Sequence, residues 1–267
     1  MSPGWALASL LRRAPVLAAS AARTLAELPA ELGPALRFLR GHRRCRHTGP
    51  GDRLRMLARF YLTSLLVDCP HKQSEILEIA EAILALDPST PGCVVEAGSY
   101  RGGSAAKLSV VCARAGRRLL VFDSFRGLPD NDEVSEGAEV LGSRTTGPER
   151  FAAGAYRGTR ARVEETIARL GEPSVCALRE GWFADTLPGL DGEVALAFLD
   201  VDLASSTRTC LEHILPRLAE GAVVFSHDGH LPRVRELLAA GEPWASLGLA
   251  PPAIEGLGAR RLIRFGG

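Results

Sequence analysis

The sequence predicts an α/β protein: a mostly parallel β-sheet flanked by helices, preceded by a helical extension at the N-terminus. Three observations carry this. From position 93 onward, short apolar runs alternate with stretches of helical periodicity, the pattern of strands buried on both faces by crossover helices. The strongest of these runs lead into a glycine-rich turn or into acidic residues, as strand tips do where open sheets bind ligands. The first fifty residues differ in kind, carrying Arg12, Arg13, Arg23, Arg37, Arg40, Arg43, Arg44 and Arg46 against only Glu27 and Glu31.

Residues 1–50 therefore form a basic helical arm and residues 51–267 the main domain, with Gly49-Pro50-Gly51 as the linker. Arg53 to Leu66 reads as a helix. Ser74 to Leu86 does so more clearly, because Ile76, Leu77, Ile79, Ala80, Ile83 and Leu84 share one face while Glu75, Glu78 and Glu81 lie mostly off it. Asp87-Pro88 ends that helix. Cys93 to Glu96 is the first strand, followed by a glycine-rich turn and a helix from Gly103 to Arg114. Leu119 to Asp123 is the second strand. Pro129 to Gly154 is polar, acidic and without pattern, which reads as a mobile loop or lid. Arg160 to Leu170 (helix), Val175 to Leu178 (strand), Val194 to Asp200 (strand), Ser206 to Leu218 (helix) and Ala222 to Ser226 (strand) follow. Arg261 to Phe265 suits an edge strand.

Bulk properties exclude several roles. With 32 basic and 31 acidic residues, no long-range field favours nucleic acid. The six cysteines are scattered with no Cys-x-x-Cys pair, which argues against a zinc knuckle or disulfide framework and points to a reducing, cytoplasmic setting. Arg12 and Arg13 interrupt the apolar stretch from Ala6 to Ala22, so neither a transmembrane helix nor a secretory signal fits. The arm reads as a solvated extension packed on the domain. A basic amphipathic segment making peripheral contact with anionic lipid is the sharper alternative, and a transit peptide a third. The expected partners are a small-molecule acceptor and further copies of the chain.

The strand tips carry the chemistry. Glu96-Ala97-Gly98-Ser99-Tyr100-Arg101-Gly102-Gly103-Ser104 gives a turn where backbone can approach a ligand above a helix start. Such a turn also serves packing alone. Asp123 falls where a dinucleotide fold places its ribose-binding acid. Turn and acid together indicate a nucleoside site without separating NAD from S-adenosylmethionine (SAM). Asp200 and Asp202, two apart on an extended chain, point the same way if strand geometry persists. Paired carboxylates repel unless a cation or shared proton lies between them. Ser226-His227-Asp228-Gly229-His230 ends the neighbouring strand. Asp200, Asp202, His227, Asp228 and His230 are expected to converge, and oxygen-rich ligation suits Mg²⁺. Helix capping accounts for one Asp at such a turn, not for five groups. Either histidine alone could be a hydrogen-bonded neighbour rather than a ligand.

Four ordered blocks then point to a family: Val95-Glu96-Ala97-Gly98 with Arg101-Gly102-Gly103-Ser104, Asp123-Ser124-Phe125-Arg126-Gly127-Leu128-Pro129, Gly181-Trp182-Phe183-Ala184-Asp185-Thr186-Leu187-Pro188, and Asp200-x-Asp202-Leu203-x-x-Ser206-Thr207. From about Gly92 to Asp228 the chain resembles the macrocin O-methyltransferase (TylF-like) family, which methylates sugar hydroxyls of natural products. The resemblance implies a Rossmann-like class I methyltransferase fold and SAM as cofactor. It also implies a divalent metal on Asp200 and Asp228, joined here by His227, and Asp202 as base, with His230 as the other candidate. Glu96, Gly98 and Asp123, together with Ser99, Gly102, Gly103 and Ser104 of the turn, would hold SAM, with Trp182 near it. The chain departs from the family at His227-Asp228, where paired aspartates are usual. One charge is lost, Mg²⁺ is disfavoured, and Mn²⁺ or Fe²⁺ gains ground. Three rival readings remain: an NAD(P)-dependent enzyme, a degenerate binding protein on this fold, and an iron-dependent oxidation enzyme.

Overall fold

The structure is a computed structural model that describes residues 3–41, 48–136, 139–140, 143–144 and 148–266. Arg43, Arg44 and Arg46 of the basic arm lie outside the described residues. Helix α1 (Pro3–Arg40) runs through Pro15, Pro29 and Pro34, each of which deletes a helical hydrogen bond. Tertiary contact holds its C-terminal half in place. Ser20, Thr24, Glu31, Ala35 and Phe38 recur at helical spacing and are buried. The Ser20 hydroxyl donates to the Ser64 carbonyl (2.7 Å), and Glu31 accepts from the Ser74 N–H (2.6 Å). Leu25, Leu32 and Leu36 of the same helix face outward. No helix among the described residues is long and apolar enough to cross a membrane.

The expected linker is a helix start. Gly49 is the N-cap of α2 (Pro50–Leu66), and Pro50, lacking an N–H, suits the first helical position. Helix α3 (Gln73–Ala85) follows. The sheet contains β1 (Cys93–Ala97), β2 (Leu119–Asp123), β3 (Cys176–Glu180), β4 (Val194–Leu199), β5 (Leu218–Ser226) and β6 (Ile263–Gly266). Their spatial order is β6-β5-β4-β1-β2-β3, all parallel except β6. The chain reverses direction across the sheet between β1 and β4, the switch point at which open α/β sheets form their crevice.

Alternate strand residues feed two cores. Val94, Leu119, Val121, Phe198 and Phe225 pack with α2, α3, α4 (Gly103–Ala115) and α5 (Arg160–Leu170). Val95, Leu120, Phe122, Ala197 and Val224 pack with α7 (Ala204–Ile214), α8 (Pro232–Ala239) and Trp244 of the short α9 (Glu242–Ala245). A one-turn helix, α6 (Phe183–Thr186), precedes β4.

Two expectations change. Helix α7 stops at Ile214, not Leu218, because Pro216 has no N–H with which to continue the helical hydrogen-bond ladder; the chain makes one tight turn (Leu215–Arg217) and enters β5 four residues early. The expected loop from Pro129 to Gly154 contains paired strands instead. Val134–Glu136 pairs antiparallel with Pro148–Arg150, and Glu139–Val140 with Ser143–Arg144. Its base is closed by Leu128 N–H to the Ala155 carbonyl (3.0 Å) and Gly154 N–H to the Leu128 carbonyl (2.9 Å). Residues 137–138, 141–142 and 145–147 of this segment lie outside the described residues.

Candidate functional site

Strand register brings the tips together. Ala97 pairs with Phe122 and Leu199, and Leu199 with Ser226. Each strand continues one residue further on backbone hydrogen bonds: Gly98 N–H to Phe122, Asp200 N–H to Ala97 and His227 N–H to Leu199, at 2.8–2.9 Å. Gly98, Asp123, Asp200 and His227 therefore stand in a row along the carboxyl edge. They border a cavity of about 300 Å³.

Of the site residues expected from sequence, Gly98, Asp123, Trp182, Asp200, Asp202, His227, Asp228 and His230 line this cavity. Glu96, Ser99, Gly102, Gly103 and Ser104 stand behind it and build the turn. Ser99 donates its N–H (2.7 Å) and hydroxyl (2.8 Å) to Asp123 Oδ2, while Phe125 N–H donates to Oδ1 (2.7 Å). Asp123 itself lines the cavity. Gly102, at φ +79°, is the N-cap of α4, and Gly103 lies against Cys69. Gly98 has φ +86°, and a Cβ there would come within 2.0 Å of the Asp200 carbonyl oxygen. Only glycine permits the tips of β1 and β4 to approach so closely.

Four non-glycine residues among those described hold positive φ: Tyr100 (47°), Phe125 (52°), Tyr156 (56°) and Asp202 (61°). Three of them line the cavity and the fourth follows Ser124, which does. Strain of this kind costs about 1–3 kcal/mol per residue and gathers at functional sites. Asp202 is consequently not placed by strand geometry, since β4 ends at Leu199. A left-handed turn carries its carboxyl to Asp200 and Asp228 instead. Asp228 Oδ2 braces that turn by accepting from the N–H groups of Val201 (3.0 Å) and Asp202 (3.2 Å).

Donor groups gather in two sets that share Asp200. Asp200, Asp202 and Asp228 form one, and His71, Asp200 and His227 the other; within each, one donor atom per residue lies within 4.8 Å of the rest. The expected trio of Asp200, His227 and Asp228 is thus divided between them. The carboxylate set fits a hard cation such as Mg²⁺, because its donors are all oxygen. Burial, then the charge of Asp200, pushes Asp228 up to about 7. Burial together with Asp228 and Asp200 lifts Asp202 well above the usual carboxylate range. A bound cation would favour the ionised forms of both. Asp200 behaves oppositely: burial would raise it, yet the two imidazoles beside it hold it low. His227 is lifted to about 9 against burial and the neighbouring His71, by its hydrogen bonds to Asp200 and Glu75. His230 lies further out, its ring 6.5 Å from that of His227.

Sequence reasoning missed His71, Glu75 and the aromatic wall of Tyr100, Phe151 and Tyr156. Tyr100 donates to Asp68 Oδ2 (3.2 Å), which also receives Arg23 of α1 on its other oxygen (2.9 Å), so the N-terminal helix is tied to the cavity wall.

Glu96 is fully buried. Burial pushes its carboxyl from 4.5 up to about 8, with Ser104 opposing. Between these values the unfolded chain ionises and the folded one stays protonated, so stability falls as pH rises through that window. Glu96→Gln is expected to flatten this dependence and to be the more stable protein at pH 8, by on the order of 1–3 kcal/mol. Chemical denaturation across the window checks it.

Known proteins share the fold and, in part, the sequence. The fold is similar to those of the O-methyltransferase NovP (TM-score 0.57, 22% identity, 72% of this chain and 78% of that one) and of CalS11, a calicheamicin methyltransferase (TM-score 0.53, 22% identity, 82% and 94%). In sequence, the chain is 36% identical over 152 residues to the 8-demethyl-8-(2,3-dimethoxy-alpha-L-rhamnosyl)-tetracenomycin-C 4'-O-methyltransferase of Streptomyces olivaceus (55% of this chain, 56% of that protein). It is 29% identical over 158 residues to the mycinamicin III 3''-O-methyltransferase of Micromonospora griseorubida (57% and 61%). It thus spans little more than half the length of these curated relatives. The profile of the macrocin-O-methyltransferase (TylF) family matches residues 73–240, a stretch that takes in β1 to β5 and every expected site residue; the chain belongs to that family.

Proposed function

We propose that the chain transfers a methyl group from SAM to a hydroxyl of a small molecule, with a divalent cation at the cavity floor. The observation that supports this most is the meeting, in one cavity, of Gly98 and Asp123 on one side with Asp200, Asp202 and Asp228 on the other. A dehydrogenase needs the first half and has no use for the second. The relatives' names supply the acceptor class, a sugar hydroxyl on a glycosylated natural product. The cytoplasm and a homo-oligomer belong to the same proposal.

Methyl transfer is a displacement at carbon, so placement of the acceptor behind the methyl does most of the work. Asp123 and the backbone at Gly98 would hold the nucleoside, and Trp182 would cover it. Tyr100, Phe151 and Tyr156 give the cavity an apolar wall that excludes water and offers faces on which a sugar or aglycone can lie. A neutral alcohol is a poor nucleophile, and Asp202 is the cavity-lining carboxylate best placed to take its proton. Bound SAM would supply the electrophilic methyl, and a cation held by Asp200 and its neighbouring donors would lower the pKa of the hydroxyl.

The test is transfer of labelled methyl from SAM to tetracenomycin and mycinamicin glycosides as trial acceptors, with Mg²⁺, with Mn²⁺ and after chelation. Label transfer that chelation abolishes is the expected result. Transfer unaffected by chelation would remove the cation from the reading, and a folded protein that does not bind SAM would favour the degenerate binding protein.

A further inference from the structure

Asp200 is held from both sides by imidazole. His71 Nε2 lies 3.0 Å from Asp200 Oδ2, and His227 Nδ1 lies 3.2 Å from Oδ1, with the two ring centroids 4.5 Å apart. Donors bound to one ion at about 2.0–2.2 Å stand roughly 3–3.5 Å from one another, and the two imidazole–carboxylate distances fall in that range. The second observation concerns the opposite ring nitrogens. His71 Nδ1 faces Cys69 Sγ at 3.4 Å, and His227 Nε2 faces Glu75 Oε2 at 3.1 Å. Metal-bound histidines use the remote nitrogen in this way, and the partner fixes tautomer and aim. The third is access: Asp200 and His227 line the cavity, while His71 stands behind it next to the lining residue Pro70. An ion there would have three protein donors on one side and open positions on the other, the arrangement of catalytic rather than structural metal centres.

We propose that His71 Nε2, His227 Nδ1 and the Asp200 carboxylate form a site for a nitrogen-preferring divalent transition-metal ion, with Cys69 and Glu75 orienting the two rings. The site lies on the cavity floor of the methyl-transfer reading and rests on that reading only for its role. It changes which groups hold the ion and leaves Asp202 and Asp228 unligated. Mg²⁺, which favours oxygen, is excluded from it in practice.

The experiment uses the full chain, stripped with chelator and titrated with Co²⁺ (visible absorption) and Zn²⁺ (calorimetry), with S-adenosylhomocysteine (SAH) binding as a separate readout. One equivalent of Co²⁺ is expected to bind and to resist displacement by a large excess of Mg²⁺. His71→Gln is expected to weaken Co²⁺ binding more than about 100-fold and Glu75→Gln about 10-fold, each with unchanged SAH affinity. X-ray absorption of the Zn²⁺-loaded wild type is expected to show two imidazoles, and it decides the matter if a variant fails to fold. An all-oxygen shell, wild-type Co²⁺ affinity in folded His71→Gln, or a wild type that binds SAH but neither metal would overturn the proposal. Loss of SAH binding alone would overturn the methyl-transfer reading and leave the metal site standing.

Discussion

Asp202→Asn is expected to lower methyl transfer about 10²- to 10⁴-fold, the usual worth of a general base, while SAH affinity stays within about threefold. Asp202 lies half-buried in the cavity wall beside Asp200 and Asp228. Its backbone sits in the left-handed region, which Asn tolerates better than most residues. The substitution therefore keeps the turn and the two N–H groups bonded to Asp228, and removes only the proton acceptor. The measurement is single-turnover transfer with the trial glycosides alongside SAH titration. Unchanged turnover would strip Asp202 of its role and pass it to His230. Equal loss of turnover and SAH affinity would mean that Asp202 shapes the cavity instead.

Gly98→Ala is expected to cost more than about 3 kcal/mol of stability, among the larger single-site effects. Left-handed backbone alone costs an alanine about 1–2 kcal/mol. The new Cβ would also meet the Asp200 carbonyl oxygen at 2.0 Å, so the tips of β1 and β4 must part. The hydrogen bond from Asp200 N–H to the Ala97 carbonyl (2.9 Å) then weakens, and Asp200 shifts away from both donor sets. A fall in Tm of roughly 10 °C, with loss of detectable SAH binding, is the result to look for in thermal unfolding and calorimetry. A shift below about 3 °C would show that the two tips separate cheaply.

The strands and their tips were legible because apolar runs ending in charge have one comfortable place in a parallel sheet. Asp123, Asp200, His227 and Asp228 could be assigned to the carboxyl edge before any register was known. Short strands paired without offset at their ends then bring those positions together. His71 and Glu75 were not legible. His71 lies 129 residues from Asp200, on a short connection with no periodicity to mark it. Glu75 reads as a solvated position on α3, since it falls mostly off the apolar face, yet it is buried against His227. A polar side chain that turns inward to pair with a partner from another strand leaves no local trace. The segment from Pro129 to Gly154 misled for a related reason. Its strands pair only with each other, so they need no apolar alternation, and Glu133 fastens it to α7 by accepting from Ala204 and Ser205 N–H (2.7 and 2.8 Å).

Calorimetric titration of wild type and Asp123→Ala with SAH tests the central claim most directly, because it asks whether the cavity at the β1, β2 and β4 tips is a nucleoside site at all. Micromolar binding by wild type is expected, with Asp123→Ala about 10- to 100-fold weaker, the worth of a hydrogen bond to a charged group. A folded wild type that binds no SAH, or an Asp123→Ala protein that binds it equally well, would contradict the account.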